Sequence, residues 1–326
     1  MNLNIFNSIW AEEIKEYMEY RERLGFKCEY LIDRFKKFDK FCIDNNMTQK
    51  IFSKEHAEKI RINTYGVKHN TFYLYINSIK SFILYLQLRG FDVYPPRDVS
   101  RNFEKFTPYI YSSEEIIRYF EAIDMYNYGK SGKMALMLPI IFRILYCCGT
   151  RLGEVLNIRK QDIDIDSGVI KLNLTKNKHE RYVVMPNELR ELVAKFANKT
   201  FWMYEDSSLI FSNPPHNNPI SRKTIHRYHV EFLHKANILY SGQYRGPRIH
   251  DFRHTSIVYS CKQLIDSGMN MHAILPLLAI WAGHTDPQNT TYYLRLTAEH
   301  FPDIQDKMDN TWDDIFNNIE VTDEIY

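Results

Sequence analysis

Between Phe91 and Tyr111 the chain reads FDVYPPRDVSRNFEKFTPYIY, a stretch without helical periodicity that contains Pro95, Pro96 and Pro108. Proline fixes its own φ and pushes the residue before it out of the α region, so no continuous helix passes through such a segment. Both flanks are strongly periodic. The break therefore divides the chain into two folding units joined by a linker. The length of 326 residues agrees, because a single hydrophobic core rarely grows beyond about 250–300 residues. The expected organisation is a helical domain over residues 1–92, a linker over 93–111, a second domain over 112–310 and an acidic tail over 311–326.

The first half is read as helical. In EEIKEYMEYRERL and YLIDRFKKFDKFCIDN the apolar and aromatic positions recur at three and four, as an amphipathic helix requires. Asn45-Asn46 and Ser53 punctuate the segment, and HNTFYLYINSIKSFILYLQLRG ends at Gly90 as a stop. Four such helices make a small bundle. Lysines and arginines lie between its aromatics, where they either line a duplex or merely solubilise the surface.

The second half opens at SSEEIIRYFEAI, where Ser112 and Glu115 have capping-box spacing. KMALMLPIIFRILYCC is apolar nearly all round, which predicts a buried helix. VIKLNLT and RYVVMP are short and β-branched and flank a polar turn, as in a β-hairpin. From Asn187 to about Asp309 the pattern is helical again, with loops at NPPHNNP and SGQYRGP. The fold class expected is mainly α with a small β-sheet.

Charge narrows the partners once it is split along the chain. Residues 1–107 carry 18 Lys/Arg against 14 Asp/Glu, residues 108–302 carry 23 against 18, and the last 24 residues carry 1 against 8. Two basic bodies suit a polyanion, and the acidic tail suits a basic surface, although ordinary solvated faces give the same balance. Cys28, Cys42, Cys147, Cys148 and Cys261 are an odd, scattered set without a Cys-x-x-Cys pair. That argues against a disulfide framework or a zinc cage and for a reducing cytoplasm. No apolar run approaches the roughly 20 residues of a membrane span. The first residues, MNLNIFNSIWAEEIKEYM, are acidic where a targeting peptide would be basic or acid-poor.

Four separated places carry polar residues that their surroundings do not explain. In CCGTRLGEVLNI a buried helix ends at Gly149, and Arg151 and Glu154 open another. Arg151 is placed either to grip an anion beside free backbone N–H groups or to pair with Glu154 at i+3. The turn TKNKHER offers Lys176 and Lys178, which reach a phosphate, deliver a proton, or simply decorate a charged turn. In PRIHDFRHTS, His250 and Arg253 share a helix face, while His254 at i+4 from His250 gives only an imperfect metal pattern beside an arginine. His226, His229 and His234 lack ligand-spaced partners and read as helix surface or core. Last, WAGHTDPQNTTYYL holds His284, Tyr292 and Tyr293. Cations and imidazoles neutralise a phosphoryl centre as it gains charge, and a phenol can attack it.

In this order and wording the residues resemble the tyrosine recombinase, or phage integrase, family. Its catalytic domain shows an arginine in a Gly-x-Arg-x-x-Glu turn, a hairpin lysine, a His-x-x-Arg helix, a Gly-His pair and a tyrosine. GTRLGE supplies Arg151, TKNKHER supplies Lys176, HDFRH supplies His250 and Arg253, GH supplies His284, and Tyr293 follows. The resemblance spans about Ser112 to Asp303, and the helical first half matches the family's SAM-like core-binding domain. Two departures stand out: the segment from Arg253 to His284 is longer than in compact members, and no glycine follows the hairpin lysine. Lys176 is preferred to Lys178 because it keeps the family's offset of five from Arg181.

The resemblance implies a C-shaped clamp on duplex DNA, with catalysis through a 3′-phosphotyrosyl bond and a free 5′-hydroxyl. Tyr293 is then the nucleophile, nine residues past His284, and Tyr292 reads as packing or as a side-chain contact beside the site. Arg151, Arg253 and His284 hold the non-bridging oxygens, Lys176 protonates the leaving oxygen, and His250 is acid/base toward the tyrosine. The phosphodiester energy is conserved in the covalent bond, so no cofactor and no metal are implied. Also implied are double-stranded recombination sites as substrate, a homotetramer on paired sites, a cytoplasmic, nucleoid-associated location, no membrane, and room for accessory proteins. The biological role expected is integration, excision or transposition of a mobile element. Relaxation of supercoils by a type IB topoisomerase and a non-catalytic DNA-binding accessory factor are the alternatives. The tail, with Trp312, Ile315, Phe316 and Ile319 at helical spacing, either docks on a neighbouring protomer or packs on its own domain.

Overall fold

The computed structural model describes residues 5–26, 28–62, 68–100, 107–129, 132–173, 180–213, 218–241, 246–283, 288–301 and 303. Lys176, Lys178, His284 and the tail from residue 311 onward lie outside the described residues. The chain divides into two compact units, Met1–Phe106 and Thr107–Tyr326. The division falls in the proline-broken stretch.

Four helices build the described part of the first unit: α1 (Ala11–Arg23), α2 (Glu29–Asp44), α3 (Lys54–Ile62) and α4 (His69–Leu88). Their apolar stripes close over Trp10, Phe35, Phe38, Phe52 and Phe82, all fully buried. Phe82 meets Phe35 and Phe38 edge-on with centroids 5.3 and 5.6 Å apart. Such aromatic pairs add about 0.5–1.5 kcal/mol each beyond the area they bury. The buried carboxylate of Asp39 accepts the backbone N–H groups of Asn7 and Ser8, which pins the start of the unit to α2. Phe52 accepts the N–H of Tyr94 at 2.6 Å and so ties the segment after α4 back onto the bundle.

The second unit begins with α5 (Ser113–Asp124), whose capping box forms as the spacing predicts. Ser112 accepts the Glu115 N–H, and the Glu115 carboxylate accepts the Ser112 N–H at 2.9 Å. The apolar helix α6 (Gly132–Cys147) is buried along Met137, Leu138, Ile140, Ile141, Phe142, Ile144 and Leu145. A short α7 (Leu152–Leu156) leads to three antiparallel strands in the order β1 (Ile163–Asp164), β2 (Val169–Leu172), β3 (Arg181–Val184). The predicted hairpin is β2–β3, with Leu172 opposite Arg181; β1 is an addition. Helices α8 (Asn187–Thr200), α9 (Arg222–Lys235), α10 (Asp251–Asp266), α11 (Met271–Ala282) and α12 (Gln288–His300) follow. One core joins α5, α6, the sheet, α8 and α9. A second joins α10, α11 and α12 around Ile257, Cys261, Ile274 and Leu278. Among the described residues no helix is long and apolar enough to cross a membrane, and no group of three or more His, Cys, Asp or Glu is arranged to hold a metal ion.

His229 on α9 is one of the core histidines the sequence leaves undecided, and it is fully buried. The Pro247 carbonyl can only accept, so His229 Nε2 donates to it at 3.2 Å and Nδ1 accepts from the Tyr119 hydroxyl at 2.8 Å. This neutral tautomer fixes the loop that enters α10. Burial pulls the pKa of His229 down to about 3, against the hydrogen bond to Pro247 and with a smaller push from His226. An unfolded histidine takes its proton near about 6.5. The unfolded chain thus binds more protons between those values, and stability falls as pH drops through the window, while above it the contribution is fully present. At about 1.4 kcal/mol per unit, acidification from about pH 6.5 to 5 is expected to cost on the order of 2 kcal/mol through this residue. Thermal melts across that range should show a loss that a His229→Gln variant largely escapes. Parallel curves for the two proteins would contradict it.

Candidate active site

The turn after α6 depends on Gly149. Its φ is +56°, in the left-handed region, and a Cβ there would lie 2.7 Å from the Trp281 ring. Glycine alone fits such a place without strain. Arg151 then caps α7, with its backbone N–H and Nη1 both donating to Glu154, at 2.9 and 2.8 Å. Glu154 is almost wholly buried and also accepts Arg181 Nη2, from the first residue of β3, at 2.8 Å. Burial opposes its ionisation. Arg181, the Arg151 backbone N–H and the Arg151 charge together outweigh burial and hold the carboxyl below its usual range. Arg181 continues to the Trp281 carbonyl and lies against Gly283, where a Cβ would come 2.9 Å from its Cδ. One arginine thus joins the hairpin, α7 and the end of α11.

Arg253 does the same from α10. The residue is 1% exposed, and its two terminal nitrogens donate to the carbonyls of Gly149, at 2.6 Å, and Ala282. Desolvation, followed by the charge of Arg151, lowers its pKa to about 10, so it remains a cation at neutral pH. A guanidinium has five N–H donors, so it can hold these two carbonyls and still hydrogen-bond other groups.

Tyr293 on α12 is 4% exposed, in the core shared with α10 and α11. Its hydroxyl is 2.9 Å from His254 Nδ1 and is hydrogen-bonded by Arg253. Burial raises the phenol above its ordinary pKa, and the Arg253 charge and hydrogen bond and then Arg151 oppose that rise. Tyr292 is only half-buried, with Arg295 stacked 5.3 Å from its ring centroid. His250 stands just before α10, edge-on to His254 with centroids 4.7 Å apart. Although His250 reaches solvent, protein groups crowd its ring. Desolvation, then Arg253, Arg151 and Arg248, bring its pKa to about 4. It is neutral at pH 7 and able to accept a proton.

The structure therefore gathers Arg151, His250, Arg253 and Tyr293 from three separated segments. It also adds three residues to that group. Glu154 and Arg181 orient the cluster, and His254 touches the phenol itself. His254 was visible in the sequence only as an i+4 partner of His250, a spacing that suggests a metal rather than a tyrosine. Three guanidinium groups around one buried carboxylate make a net positive cluster beside a phenol, a combination suited to a phosphoryl centre. A groove of about 550 Å³ lined by Phe120, Arg143, Tyr146 and Glu188 contains none of these residues. The chemistry-bearing residues gather at the charge cluster and not in this groove, so the cluster locates the site.

Comparison with known proteins gives a consistent result. Residues 115–300 match the model of the phage integrase family. A tyrosine recombinase of Pseudothermotoga lettingae is 26% identical over 279 residues, 84% of this chain and 88% of the relative. The XerH site-specific recombinase, solved in a post-cleavage complex with its palindromic difH substrate, superposes with a TM-score of 0.62 at 17% identity. That match covers 83% of this chain and 77% of XerH. A lambda integrase dimer bound to a COC′ core site gives 0.60 at 14% identity, over 86% of this chain and 94% of the other. At such identities the structural likeness concerns the fold.

Proposed function

The chain belongs to the phage integrase family and is an enzyme of DNA strand cleavage and rejoining, and we propose that it works through a 3′-phosphotyrosyl bond on Tyr293. The observation that carries this reading is a buried phenol whose hydroxyl lies 2.9 Å from His254 Nδ1, with Arg253 and then Arg151 opposing the rise that burial gives its pKa. In the reaction, the Tyr293 oxygen attacks the scissile phosphorus as its O–H bond breaks, and the bond from phosphorus to the 5′-oxygen breaks in turn. Arg151 and Arg253 bind the non-bridging oxygens, where charge accumulates. Lys176 protonates the departing 5′-oxygen, and His284 adds a hydrogen bond to the phosphate. His250 and His254, at the start of α10, manage the tyrosine proton, in the direction set by the step. Because one phosphoester replaces another, no external energy source enters.

The first unit then acts as the core-binding domain, with its basic, aromatic-rich helices against the duplex. The substrate proposed is a pair of duplex recombination sites held by four protomers, and the process is integration, excision or transposition of a mobile element. Lambda integrase, which shares the fold, is seen as a dimer bound to a COC′ core site, and two such dimers would pair two sites. The test uses nicked duplexes taken from the DNA flanking the gene. A covalent protein–DNA adduct surviving detergent, with a free 5′-hydroxyl on the other strand end, is expected, together with exchanged ends when two sites are supplied. Relaxation of supercoiled plasmid without exchange would replace the recombinase by a topoisomerase. Binding without any adduct would leave only an accessory factor.

A further inference from the structure

We propose that His254, rather than His250, is the residue that takes the proton from Tyr293 during cleavage and returns it during rejoining. The inference deepens the functional reading above and rests on Tyr293 being the nucleophile. Its basis is placement. His254 Nδ1 lies 2.9 Å from the Tyr293 hydroxyl, within the reach a general base needs. His250 instead contacts the His254 ring, edge to face at 4.7 Å between centroids. The three rings form a row from the surface inward. His250 is exposed, His254 is half-buried, and Tyr293 is buried.

Helix geometry explains the division. His250 precedes the first turn of α10 and Arg253 sits inside it, so Arg253 points into the junction of Gly149 and Ala282. His254, one residue on, is turned about 100° from it and faces α12. The proton balance closes without any other reactant. The Tyr293 O–H bond breaks and the proton moves to His254 Nδ1, while the phenolic oxygen bonds to phosphorus and the bond from phosphorus to the 5′-oxygen breaks, that oxygen taking its proton from Lys176. The imidazolium so formed adds positive charge beside Arg253, and a phosphate anion seated between Arg151 and Arg253 compensates it. Proton transfer is thereby favoured when the substrate is present. In the reverse step the imidazolium returns the proton to the tyrosine oxygen as the 5′-hydroxyl attacks. His250 is a positioning residue in this scheme, because its contact is with the His254 ring.

Single-turnover cleavage of a nicked duplex that the wild-type protein cleaves separates the roles. His254→Ala should slow adduct formation by about 10²–10⁴-fold, the usual worth of a placed acid–base group, and added imidazole should restore part of the rate. His254→Asn keeps an acceptor near the Nδ1 position but cannot take the proton, so it should be as slow as the alanine variant, with thermal stability and DNA binding retained. His250→Ala should be less impaired than either. A His254→Asn protein with near wild-type cleavage would reduce His254 to a hydrogen-bonding support and overturn the proposal, as would a greater loss from His250→Ala. If the wild-type protein itself forms no adduct on any flanking duplex, the functional reading falls first and this inference with it.

Discussion

Tyr293→Phe is expected to abolish the covalent DNA adduct completely while leaving DNA binding at the wild-type level, and Tyr292→Phe is expected to leave cleavage intact. The two phenols are neighbours in sequence and differ in everything that matters to phosphoryl transfer. Tyr293 is bonded to His254 and Arg253 in the core of α10, α11 and α12. Tyr292 is turned about 100° away, as adjacent helical residues must be, and its ring packs beneath Arg295. Phenylalanine preserves the Tyr293 ring and its packing, and removes only the oxygen. The lost hydrogen bond to His254 should cost on the order of 1 kcal/mol of stability, too little to unfold the unit. Detergent-resistant adduct on a nicked duplex measures cleavage, and a mobility shift on the same duplex measures binding. Adduct formation by Tyr293→Phe but not by Tyr292→Phe would reverse the register and dismantle the site.

The distance to which the sequence reaches follows from how local each interaction is. The capping box at Ser112 and Glu115 and the contact of Arg151 with Glu154 span three residues, so spacing alone announces them. The buried α6 shows in a nearly all-apolar sequence that only Lys133 and Arg143 interrupt. The two-residue strand β1 is too short to carry a period, and only its pairing with β2 through Ile163 and Ile170 reveals it. Arg181 is harder still. Its partners are a side chain 27 residues back and a carbonyl 100 residues ahead, and backbone carbonyls carry no sequence signature. His254 failed for a different reason. Its spacing was visible and the neighbouring arginine already spoke against a metal, but its partner lies 39 residues away on α12, and only tertiary packing could show the phenol. His229 likewise could be assigned to the core only once Tyr119 and Pro247 were seen at its two nitrogens.

Arg253→Ala and Arg151→Ala are expected to lose similar amounts of cleavage and very different amounts of stability. Each removes a donor to the charge that develops on the phosphate, and one such donor is worth about 3–4 kcal/mol of barrier, or 10²–10³-fold in rate. The structural roles diverge. Arg253 is buried and holds the carbonyls of Gly149 and Ala282, which its loss would leave without these donors. An unsatisfied buried carbonyl costs roughly 1–3 kcal/mol, so the variant should be less stable by about 2–6 kcal/mol. Arg151 is 27% exposed in its side chain, and its partner Glu154 stays bound to Arg181 when Arg151 is gone. That variant should keep nearly all of its stability, since partly exposed ion pairs contribute about 0–1 kcal/mol. Arg253→Lys sharpens the contrast. A single ammonium cannot reproduce a planar fork that spans two carbonyls, so charge is retained while both stability and cleavage fall. Denaturant midpoints and single-turnover adduct rates on the three variants give the comparison directly. Equal destabilisation by Arg151→Ala and Arg253→Ala would mean that the buried fork is not what joins α6, α10 and α11. Wild-type cleavage by either variant would remove that arginine from the phosphate.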